Sequence, residues 1–197
     1  EPLANLDYKL REELRDQLPE LFAGRGAVVV YATSEPAEAL MLGGRVALMQ
    51  DGRVTQFGPT AETYRRPNTL TSARVFSDPP INSAPVVKTG DRVELGHGLG
   101  WRVTGAAAGL ADGAYTVAIR PNHILPVRAG GATVPMTGTV RITELSGSES
   151  TAHFRMGAET WVSLSPGVHP YRVGQDHVFY MDPAHCFYFA PDGALAA

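Results

Sequence analysis

Two consecutive prolines, in Asp78-Pro79-Pro80, divide this chain into stretches of different texture. Proline lacks a backbone N–H and fixes φ, so two in a row cannot continue a helix. Before them, apolar residues recur at helical spacing or in one solid run. After them, short runs rich in β-branched and aromatic residues alternate with Gly, Asn, Asp and Pro. These runs are residues 92–95, 100–103, 114–119, 137–145, 150–156, 160–164, 177–181 and 186–189. Many short strands between regular turn signals read as a small barrel or sandwich. The expected organisation is an α/β portion over 1–78 and an all-β domain over 79–197, with a stiff extended linker after the prolines.

In the α/β portion, Leu6, Leu10, Leu14 and Leu18 recur every four residues, and Leu21 and Phe22 extend the stripe. Charged residues fill the other faces, the pattern of an amphipathic helix. Pro19 kinks it or ends its regular part, and Gly24-Arg25-Gly26 stops it. Residues 27–33, Ala-Val-Val-Val-Tyr-Ala-Thr, show no polar alternation and predict a strand buried on both faces, as in a parallel sheet. Ser34 is placed to cap the next helix, with Pro36 in its first turn. Asp51-Gly52 between two short apolar runs is a hairpin signal. Thr60 opens a short helix that Pro67 terminates, and 69–76 adds one or two helical turns. The stretch 105–113, bounded by glycines, reads as a loop.

Composition narrows the function classes. The formal charge of −3 argues against a nucleic-acid surface, which needs clustered Lys and Arg. No apolar run approaches the roughly 18 residues of a membrane helix. The single cysteine, Cys186, excludes an internal disulfide and reads as a small core residue. The six histidines show neither an i, i+4 pair on a helix nor a zinc-like spacing with cysteine, so no metal site is expected.

Chemistry concentrates at the start of the chain. Glu1 and Asp7 offer two carboxylates around a turn, a helix follows, and Ser34 ends the apolar run, an arrangement by which α/β enzymes present groups along one sheet edge. Residues 1–7, Glu-Pro-Leu-Ala-Asn-Leu-Asp, resemble the DEPLSNLD run of ABC-transporter ATPases, from the Walker B glutamate through the D-loop. Residues 31–40 resemble YVTHDQxEAM, the switch-histidine loop. Residues 118–124 resemble GIRPEHL, and 138–150 resemble GxVxxVExLGxET, both from the C-terminal regulatory domain of carbohydrate importers of the maltose and glycerol-phosphate type. The pieces stand in the family's order and span nearly the whole chain.

The resemblance implies the C-terminal half of a P-loop ATPase domain followed by an OB-like regulatory barrel (a TOBE domain). Glu1 would be the general base for the hydrolytic water, and Asp7 the D-loop acid that reaches across an ATPase dimer. Ser34 stands where the family has histidine. Its short hydroxyl does not span the same gap to the γ-phosphate, which implies a weakened hydrolytic site. Such sites suggest paired, different ATPase subunits and a glycerol or sugar-alcohol importer. ATP and Mg²⁺ would serve the full-length parent. The partners implied are a second ATPase subunit, membrane permease subunits and a regulatory protein on the barrel, at the cytoplasmic face of a bacterial-type membrane. Neither the Gly-x-x-x-x-Gly-Lys-Ser/Thr loop nor the Leu-Ser-Gly-Gly-Gln signature occurs here. This chain alone is therefore expected neither to hold ATP tightly nor to hydrolyse it. Uncovered apolar faces would make it self-associate.

Two further readings come from other classes. An OB-like module binding a small oxyanion would use Ser146, Ser148, Ser150 and Thr151, or Lys88, the barrel's single lysine. A nucleic-acid binder would stack bases on Phe179, Tyr180, Phe187, Tyr188 and Phe189, but the absence of interleaved cations assigns these rings to the core or a dimer contact.

Overall fold

The computed structural model describes residues 3, 6–23, 26, 28–96, 98–128 and 130–197, without the side chains at 8, 12 and 15. The chain forms two compact units, Glu1–Pro67 and Asn68–Ala197.

The first unit contains helices α1 (Tyr8–Phe22) and α2 (Pro36–Leu42), strands β1 (Arg45–Gln50) and β2 (Arg53–Pro59), and helix α3 (Thr60–Arg65). Asp7 caps α1: its Oδ1 accepts the Leu10 N–H at 2.9 Å, satisfying one of the first-turn donors that a helix leaves unpaired. Pro19 lies inside α1, which runs on to Phe22, where the Ala23 N–H reaches the Pro19 carbonyl at 3.0 Å. The stop assigned to Gly24-Arg25 lies outside the described residues. β1 and β2 pair antiparallel around Asp51 (φ 51°) and Gly52 (φ 73°). Both central residues are left-handed, as a two-residue hairpin turn matched to the strand twist requires.

The apolar run at 27–33 departs from expectation. Residues 28–33 take no strand conformation, and Val28 and Val30 are 95% and 92% exposed. A strand buried on both faces needs paired neighbours, and among the described residues none pairs with this run. Ser34 does not cap α2 either. The N-cap is Glu35, without a side-chain cap bond, and the Thr33 hydroxyl accepts the Glu35 N–H at 3.0 Å.

The second unit holds helix α4 (Leu70–Val75) and strands β3 (Asn82–Thr89), β4 (Arg92–Gly96), β5 (Leu99–Arg102), β6 (Gly113–Ile119), β7 (Ile124–Leu125), β8 (Val134–Leu145), β9 (Glu149–Met156), β10 (Glu159–Pro166), β11 (Asp176–Met181) and β12 (Phe187–Phe189). They form two five-stranded sheets, ordered β12-β6-β3-β4-β5 and β10-β9-β8-β11-β7. All pairings are antiparallel. Inward residues of both sheets share one core. Val86, Val93, Trp101, Val117 and Ile119 meet Met136, Val140, Phe154, Trp161, Phe179 and Met181. Phe154 and Phe179 stack with centroids 4.0 Å apart. The Trp101 indole N–H donates to the Tyr188 hydroxyl at 2.8 Å, so both buried polar handles are satisfied.

The linker expected after Pro80 is instead β3, the middle strand of its sheet. Asn82, Ala84, Val86 and Lys88 alternate inward along it, the period of a half-buried strand. Pro85 is tolerated because β4 pairs only with residues 87–89, leaving Pro85 a neighbour on one side. The loop expected at 105–113 opens with a 3-10 turn, Gly105–Gly109. The compact units divide at Pro67, before the prolines. Ala73 of α4 packs with Ile81, Ala118 and Phe189. The Leu70 N–H bonds the Gly193 carbonyl at 2.9 Å, and the Leu195 N–H bonds the Asn68 carbonyl at 2.9 Å. These contacts tie 68–75 to the sheet.

Candidate functional site

Of the three positions singled out at the start of the chain, Glu1 lies outside the described residues. Asp7 is exposed at the N-terminus of α1, with one carboxylate oxygen on the Leu10 N–H. This placement is favourable in itself, since a negative charge there meets the positive end of the helix dipole. Ser34 is exposed at a bend before α2, and among the described residues its hydroxyl has no partner.

The bend is fixed by its neighbours. Glu38 of α2 is buried, and its Oε2 accepts the Tyr31 hydroxyl at 3.1 Å and the Thr33 hydroxyl. Burial first, and then the Glu38 hydrogen bond, push the Tyr31 phenol up to about 12. Glu35 forms an ion pair with Arg11 of α1, Nη1 to Oε1 at 3.3 Å, and Arg11 Nη2 donates to the Leu6 carbonyl at 3.2 Å. One guanidinium therefore spans the residue before Asp7 and the residue after Ser34. The sequence pattern revealed neither Arg11 nor Glu38. Arg11 reads as one of many helix-face charges, and Glu38 as the polar side of a short helix.

Of the barrel candidates the structure brings Ser146 and Ser148 together, with hydroxyls 3.3 Å apart in the exposed β8–β9 turn. Lys88 is buried and donates to the Gly90 carbonyl at 2.7 Å and to Asp112 at 3.3 Å. The Ser150 hydroxyl donates to the Gly167 carbonyl at 2.7 Å and accepts the His169 N–H at 2.9 Å. The Ser146 hydroxyl accepts the Glu149 N–H at 3.2 Å in the β8–β9 turn. Lys88 and these two serine hydroxyls therefore satisfy local backbone. Phe179, Tyr188 and Phe189 are buried in the core. The Cys186 thiol sits 3.9 Å from the Met181 sulfur, and burial raises its pKa, which suits an inert core thiol.

Motif residues 120–123 have structural roles. Buried Arg120 donates to the Phe76 carbonyl at 2.7 Å, beyond the end of α4. His123 stacks on His185 with centroids 3.8 Å apart, and His185 Nδ1 lies 3.0 Å from Asp182. Desolvation first, and then the neighbouring His185, lower His123 to about 4. A cleft of about 620 Å³ that the sequence did not suggest lies between the β4–β5 and β9–β10 hairpins. Leu95, Leu99, Pro135, Met156 and Glu159 line it. Among the described residues no helix is long and apolar enough to cross a membrane.

Comparison with known proteins gives these features a context. Residues 117–189 match the TOBE domain. The chain is 35% identical over 198 residues to the sn-glycerol-3-phosphate import ATP-binding protein UgpC of Chromohalobacter salexigens, covering 98% of this chain and 53% of that one. It is 34% identical to the xylose/arabinose import ATP-binding protein XacK of Haloferax volcanii, over 79% of this chain and 41% of that one. It is 30% identical to the sulfoquinovosyl glycerol transport ATP-binding protein SmoE of Agrobacterium fabrum, over 89% and 51%. The chain spans about half the length of the curated relatives it matches. It carries a TOBE domain and is homologous, over nearly its whole length, to the ATP-binding proteins of sn-glycerol-3-phosphate and sugar import systems.

Proposed function

We propose that this chain is the C-terminal portion of the ATPase subunit of an ABC importer for a carbohydrate or polyol. Similarity to import ATP-binding proteins along 98% of its length is the observation that carries this reading. In that role Glu1 is the general base, Asp7 the D-loop acid and Ser34 the residue at the switch position. Asp7 is exposed on a helix N-terminus and Ser34 presents a hydroxyl without a partner among the described residues, which suits contact with a phosphate oxygen or a facing subunit. ATP with Mg²⁺, when bound, supplies the phosphoryl group and its counter-charge. The residues that would cradle its phosphates are not in this sequence, so binding belongs to the complete subunit. The partners are a second ATPase subunit and membrane permease subunits, and the subunit works peripherally at the cytoplasmic face. The TOBE domain is the surface for a regulatory partner. The isolated chain, with its valines at 28 and 30 in water, self-associates, which light scattering against concentration checks.

The test is to express the complete reading frame, measure its mass and assay ATP hydrolysis, alone and with permease. A mass near twice 21.1 kDa with hydrolysis that permease stimulates is expected. A complete product near 21.1 kDa without hydrolysis overturns the reading.

A further inference from the structure

We propose that Arg11 is a positioning residue that holds the Asp7 segment and the Ser34 bend as one piece. The inference rests on the proposed roles of Asp7 and Ser34, but its structural content stands on the contacts of Arg11 alone. Its Nη2 donates to the Leu6 carbonyl at 3.2 Å, directly before the residue that caps α1. Its Nη1 meets the Glu35 carboxylate at 3.3 Å, directly after Ser34. A planar guanidinium can serve two acceptors at a fixed separation, whereas an ammonium on a flexible stem does not impose that separation.

The opposite side of the bend is held independently. The Thr33 hydroxyl is shared between the Glu35 N–H and the buried Glu38, and the Tyr31 hydroxyl also reaches Glu38. Ser34 is thus bracketed by anchored residues, while its own hydroxyl has no partner among the described residues. Glu38 fixes the bend to α2, and Arg11 fixes it to α1. Without Arg11 the Asp7 segment and the Ser34 bend would adjust separately. A hydrolytic site that needs both in register would then lose rate, with little change in nucleotide affinity.

The experiment is a double-mutant cycle in the protein expressed from its complete reading frame, using Arg11→Ala, Glu35→Gln and the pair, with Arg11→Lys as a milder variant. The readouts are amide hydrogen exchange and ATP hydrolysis. Each single change should speed exchange at both 7–11 and 33–36 by about tenfold, and the pair should add little beyond either. In hydrolysis, kcat should fall by about tenfold with KM nearly unchanged, again without multiplication in the pair. Arg11→Lys should lie between wild type and Arg11→Ala. Exchange that rises only in the segment mutated, or multiplicative losses in the pair, overturns the proposal. A wild-type protein without hydrolysis would defeat the ATPase reading instead, and the exchange data would still decide whether Arg11 couples the two segments.

Discussion

The Asn82 side chain completes the backbone bonding of Val162, a residue of the other sheet. Asn82 Nδ2 donates to the Val162 carbonyl at 2.8 Å, and the Val162 N–H donates to Asn82 Oδ1 at 2.6 Å. Both residues are buried, and β10 lies at the edge of its sheet. A side-chain amide thus occupies the place of a neighbouring strand and joins the two sheets.

Removing that amide leaves a buried N–H and a buried carbonyl without partners. Asn82→Leu is expected to destabilise the second unit by about 2–4 kcal/mol, since each orphaned group costs about 1–3 kcal/mol. Asn82→Asp should cost at least as much, because a buried carboxylate accepts the Val162 N–H but sets an unpaired negative charge against the Val162 carbonyl. Denaturant unfolding of the three proteins measures both.

Gly138 permits a close approach on β8. A Cβ there would stand 2.4 Å from Phe154 Cδ2 and 3.0 Å from the Arg155 carbonyl. Phe154 cannot yield freely, because it is stacked on Phe179 in the core. Gly138→Ala should therefore cost about 1–3 kcal/mol as overpacking, although alanine suits a strand better than glycine does. A lower thermal midpoint without change in secondary structure is the expected result. A midpoint equal to wild type would mean that the core gives way there.

His123 makes stability depend on pH in a defined window. Its ordinary value of 6.5 falls to about 4 in the fold. Below about pH 6.5 the unfolded chain takes up a proton that folded His123 refuses, so stability falls as pH drops from about 6.5 to about 4. Above 6.5 the contribution is fully present. Its part-buried position limits the total to about 1–3 kcal/mol. His185, Asp182 and Arg120 face the same ring, so the diagnostic quantity is the difference between wild type and His123→Gln. The variant should show a flatter loss over this interval.

At the proposed switch position, Ser34→His would supply a longer donor. In the complete subunit it should raise hydrolysis by at least about tenfold, given that one preorganised donor commonly accounts for about 2.7–4 kcal/mol. An unchanged rate in the assembled transporter would remove the weakened-site interpretation.

The sequence was most informative where structure is local. Asp51-Gly52 specified its hairpin because left-handed φ values are a property of those two residues. Asp7 lies where a cap is needed, one residue before α1. Most of the barrel strands announced themselves as short runs between turn residues, and the motif-like run at 118–124 pointed to the domain that residues 117–189 match. Asp7 and Ser34 were proposed as site residues from residue type and order in the sequence, whereas Arg11 was not legible there, because its ion pair closes a separation of 24 residues.

The tertiary structure decided the rest. It made a middle strand of residues 82–89, although two prolines precede them and Pro85 interrupts them, because β6 offered a full ladder on one side. It assigned 68–75 to the second unit through the packing of Ala73 on Ala118 and Phe189. It turned Lys88 inward, where Gly90 and Asp112 receive it, and among the described residues no strand pairs with the apolar run at 28–33. Turn chemistry and periodicity arise from dihedral preferences over a few neighbouring residues. Strand order, burial and contacts such as Asn82 with Val162, 80 residues apart, depend on which distant surfaces meet.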